Sequence, residues 1–188
     1  MKKNTTLQSM RLSAIEFQLK ALESQAQAIE RINAEHNEGI DLGLDPEVAN
    51  VLNWSRKLVP QVVAIVEKSQ CGDRAGVAAV LKTVREQSIY LFERSESFRK
   101  HGQGRADLHL KHHLGEDASE PTDAPAAIER AAVSSYAQAG FSCFRAESNQ
   151  YFTFEWQLNA LVHLALEISY FAADEVGLKP TGTKVEGA

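Results

Sequence analysis

Residues Gln150 to Val176, QYFTFEWQLNALVHLALEISYFAADEV, form the most apolar and aromatic run of the chain, and they contain no Gly or Pro. A run this long without a breaker predicts a long helix around which the other helices pack. Phe152, Trp156, His163, Leu166 and Tyr170 step by three, four or seven positions, so they share one side of that helix. Phe154, Leu158, Leu161, Ala165, Ile168 and Ala172 form a second apolar row, read as lying beside the first. Two such rows exceed what a surface helix needs, so much of the helix is expected to be buried. Gly177 suits the left-handed position after its last turn, and Pro180 follows. Glu155, His163 and Glu167 interrupt the run, whereas a membrane span needs about 20 nearly charge-free residues, so no transmembrane segment is expected.

A polar stripe crosses the same helix: Glu155, Asn159, His163 and Glu167, each four apart. Its plain reading is a solvated strip with a hydrogen-bonded histidine. Its chemical reading is a metal site or an acid–base pair made by His163 and Glu167, one turn apart. The Glu-x-x-His pairs that di-metal bundles use are absent from the chain.

The rest of the chain repeats the helical pattern. Leu12, Ile15, Leu19, Leu22, Ala26 and Ile29 alternate by three and four, a narrow coiled-coil type of seam within a helix over residues 6–36. Glu16, Glu23 and Glu30 recur by seven as its solvated edge. Glu35 and His36 stand near the helix end, where a histidine complements the helix dipole. NEGIDLG, from Asn37 to Gly43, reads as a loop.

Asp45-Pro46-Glu47 is an N-cap, a proline at the first position and an acid in the first turn, which predicts a helix over 46–69. Val48, Val51, Leu58, Val62, Ile65 and Val66 form its apolar face, Trp54 lies near the seam and reads as core rather than as a ligand stack, and Pro60 is expected to kink or divide it. A short turn at Gln70 to Asp73 makes the next helix, over 73–100, an antiparallel neighbour. There Val77, Val84, Leu91 and Phe98 recur by seven, and Ser88 and Ser95 occupy a second core row where small residues permit close approach. A fourth helix is expected over 124–147, with Asp123 as cap and Pro125 in the first turn. A break at Gly140 or at Ser148-Asn149 would separate it from the helix over 150–176. No strand signal appears. The fold expected is all-α, an antiparallel four- or five-helix bundle in one domain over 1–177, with a disordered tail over 178–188.

The segment 101–123 reads as a histidine-rich loop or linker and is the richest in chemistry. It holds His101, His109, His112 and His113, four of the six histidines. A short helix over Ala106 to Leu114 would set His109 and His113 one turn apart, with Glu116 close by, a spacing that can hold a divalent transition metal. The plain alternative is an exposed basic turn. Arg105, six intervening residues and His112 are loosely similar to the Arg-x4–6-His element of HEPN ribonucleases, which are helical bundles. That resemblance implies RNA cleavage with Arg105 and His112 as catalytic residues. The Ala- and Gln-rich stretches Leu19 to Ile32 and Ala131 to Ala139 look like phasins, which coat polyhydroxyalkanoate granules, and that likeness implies a granule surface.

A net charge of −5 carries no strong nucleic-acid signal. Cys71 and Cys143 have no paired spacing; they read as buried thiols in a reducing, cytoplasmic compartment. No phosphate-binding Gly-rich loop, nucleophile elbow, Cys-x-x-Cys or His-Glu-x-x-His occurs. The expected function is therefore that of a non-catalytic interaction or structural protein that needs no cofactor. It would act through amphipathic, coiled-coil-like helices toward a protein partner or a second copy of itself. A metal-binding bundle is the alternative.

Overall fold

The computed structural model describes residues 2–36, 45–114 and 135–178, with side chains described for 8–32, 34, 45–95 and 149–178. The described residues are all-α. Helices α1 (Lys2–His36), α2 (Pro46–Gln70), α3 (Arg74–Leu114) and α4 (Ser135–Glu175) pack against one another. None of them is long and apolar enough to cross a membrane.

The helix ends follow local chemistry. Asp45 caps α2: its Oδ1 accepts from Glu47 N–H at 2.9 Å, and its carbonyl accepts from Ala49 N–H at 2.8 Å. Asp73 caps α3 in the same way, with Gly76 N–H 2.9 Å from its Oδ1 and Val77 N–H 2.9 Å from its carbonyl. Between these two helices Gly72 takes φ 70°, and the amide of Asp73 donates to Lys68 O, which closes the last turn of α2. Gly177, also at φ 70°, ends α4, and Leu178 N–H returns to Ala173 O at 2.9 Å.

Two expectations about helix limits need correction, and one alternative of a third is settled. The third helix continues to Leu114 instead of stopping at Lys100, so residues 101–114 are helix and not loop. Gly102 and Gly104 each cost about 1 kcal/mol there, but their Arg, Lys, Ala and Leu neighbours favour helix, and extending a formed helix is easy. The break expected at Gly140 or Ser148-Asn149 is absent, since α4 runs unbroken from Ser135 to Glu175. Thr153 Oγ1 donates back to the Asn149 carbonyl at 2.9 Å across that position. Pro60 does not divide α2. Pro60 and Arg56 are both exposed, so the carbonyl freed by the missing proline N–H lies on the solvent side. The Asn37 to Gly43 loop, the Asp123–Pro125 helix start and the tail from residue 179 fall outside the described residues.

The chain divides into two compact units, and every described helix contributes to both. The first comprises Met1–Lys20, Leu52–Phe92 and Asn159–Ala188. Its core is aliphatic, with Ile15, Leu58, Ile65, Val84, Leu91 and Leu161 fully buried. The second comprises Ala21–Val51 and Glu93–Leu158. It buries Leu22, Ile29, Val51 and Leu158 together with two aromatic residues, Tyr151 and Phe154.

The two apolar rows of α4 do not share a side. Phe154, Leu158, Leu161, Ala165, Ile168 and Ala172 are all buried, whereas Phe152, Trp156 and His163 are exposed and Leu166 and Tyr170 are half-buried. The cause is geometric. Phe152 and Phe154, like Trp156 and Leu158, are two positions apart, which is about 200° around a helix. Only one of two such rows can face the core.

Candidate functional site

The metal and catalytic candidates separate into two places. Residues 105–113 lie within α3, so its backbone sets His109 and His113 one helical turn apart and Arg105 and His112 two turns apart. Their side chains, and Glu116 altogether, lie outside what is described. His163 and Glu167 both stand exposed in the first unit, one turn apart on α4. The His163 ring meets Phe92 of α3 edge-on, at 6.5 Å between centroids and 79° between planes. Among the described residues no three His, Cys, Asp or Glu side chains gather to hold a metal ion. Of the polar stripe on α4, Glu155 and Asn159 are half-buried, and only its second half is openly solvated.

What the structure does present is apolar side chains facing water. In the first unit these are Met10 and Phe17 on α1, Ile89 and Phe92 on α3, and Phe171 on α4. In the second they are Phe152 and Trp156 on α4. Phe17 and Trp156 each keep 71 % of their surface accessible, as much as a polar residue would. On α1 the exposed row is Met10, Ala14 and Phe17, with steps of four and three. The core-facing row of the same helix, Leu12, Ile15 and Leu19, lies on the opposite side. That spacing was legible in the sequence, but only the regular seam toward the core stood out.

Cations sit over two of the outer rings. The Arg11 guanidinium carbon lies 3.7 Å from the Phe171 ring centroid. The Lys57 ammonium lies 5.0 Å from that of Trp54, which is half-buried and itself packs against Tyr90 at 4.8 Å. Trp54 is thus a flank residue and not core.

Polar groups tie the helices together in each unit. In the second, the Tyr151 hydroxyl donates to Asp45 Oδ2 at 3.0 Å, with both residues buried, so the carboxylate that caps α2 also anchors α4. Gln25 of α1 bonds the side chain of Gln150 and, at 3.1 Å, its carbonyl. In the first unit, Glu175 accepts from Gln8 and, at 2.8 Å, from the Ser69 hydroxyl, while Gln70 donates to Gln8 at 2.8 Å. The Asp73 carboxyl is held below its ordinary range by the Gly76 amide first, and then by Lys68 at 3.3 Å. Cys71 is exposed in the turn, not buried as its thiol chemistry suggested, because the helix ends one residue before it.

No family model matches the chain, and comparison with curated proteins and with solved structures finds no similar protein. The geometry therefore carries the functional reading by itself.

Proposed function

We propose that this chain is an antiparallel four-helix bundle that works as a non-catalytic interaction protein, and that its first partner is a second copy of itself. The observation that carries this reading is the exposure of Phe17, at 71 %, in a row with Met10 and Ala14 on the outer side of α1. A single exposed apolar residue is ordinary on a monomer. A row at steps of four and three, on a helix that already buries an apolar row on its other side, is the pattern that accepts a second helix. The small Ala14 between two long side chains leaves room for a knob from the facing helix.

The test is sedimentation velocity over the micromolar range, on the full chain and on Phe17→Ser. The wild type is expected to sediment as a dimer or larger species and the variant as monomer. The helical circular dichroism of the variant should be unchanged, because Phe17 contributes nothing to the core. A wild-type chain that stays monomeric throughout, or a variant that assembles as well as wild type, overturns the proposal.

A further inference from the structure

We draw no further inference here: the strongest candidate, the exposed aromatic pair Phe152 and Trp156 on the outer side of α4, is an unpartnered apolar face and nothing in the structure shows what covers it.

Discussion

The two units solve the same problem, joining helices with polar groups, at different depths. In the second unit the joint is buried: Asp45 and Tyr151 are 3 % and 1 % exposed, and one carboxylate both caps α2 and receives the α4 hydroxyl. In the first unit the joint is part-buried, with an exposed acceptor and two buried donors, Gln8 at 9 % and Ser69 at 7 %. Glu175 is exposed, and it gathers Gln8 of α1 and Ser69 of α2. Water reaches Glu175 from its exposed side and can replace part of what it supplies. It cannot reach Tyr151 without opening the core. A buried polar group left without its partner bears the full desolvation cost, whereas an exposed one does not. The contrast therefore predicts where the fold is brittle.

The largest effect should come from Asp45→Ala. Loss of the cap costs about 1 kcal/mol, and loss of the buried bond from the Tyr151 hydroxyl adds about 1–3 kcal/mol, so a loss of about 2–4 kcal/mol is expected in urea unfolding. Tyr151→Phe should cost less, because the cap remains. In a double-mutant cycle the two changes should be strongly non-additive. Glu175→Ala comes next, at about 1–2 kcal/mol, since water can enter where the exposed carboxylate stood and partly satisfy the buried Gln8 and Ser69 donors. Equal losses at Asp45 and Glu175 would remove the distinction between a buried and a solvated joint. Ser88→Ala should go the other way. Ser88 is fully buried in the first unit, and among the described residues its hydroxyl has no hydrogen-bond partner. Removing that oxygen is expected to leave stability unchanged or raise it by up to about 1 kcal/mol, read from the urea midpoint. A clear loss there would show that the hydroxyl is satisfied in solution.

How much of this was legible in the sequence depends on the range of the interaction. Features decided within one helical turn read out directly. The Asp45-Pro46-Glu47 start, the Asp73 cap and the Gly177 stop each follow from a few adjacent residues. The heptad-spaced core positions Ile15, Leu22 and Ile29 also read out, because the period itself encodes a buried side. The helices run through Gly102, Gly104 and Gly140 without ending. An isolated glycine weakens a helix by about 1 kcal/mol, which is too little to end one. Apolar content alone does not set the side that Phe152 and Trp156 face; angular position does, and it turns them outward. The link between Asp45 and Tyr151, 106 residues apart, left no local trace at all. Either residue alone looks ordinary, and only the packed helices bring them together. The histidine candidates at 109 and 113 were visible as a spacing, and a spacing on one helix supplies at most two ligands.

The smallest expected effect tests the solvated extreme of the comparison. Asp73 is exposed, and its carboxylate holds the first turn of α3 through Gly76 N–H at 2.9 Å, with Lys68 beside it. Both contacts favour the ionised form and lower its folded pKa beneath the ordinary 3.8. A carboxyl whose folded pKa is depressed contributes stability above its unfolded pKa and loses it as pH falls through the folded value. Asp73→Asn retains a capping oxygen but removes the charge, so it isolates this term from the cap itself. The thermal midpoint of wild type should therefore slightly exceed that of Asp73→Asn at neutral pH. The gap should close as the pH is taken below 3.8 and both side chains become neutral. Added salt should narrow the Lys68 share of the gap at neutral pH and leave the share due to the Gly76 amide largely in place. A gap that instead widens in acid would mean that the charge at position 73 opposes the fold.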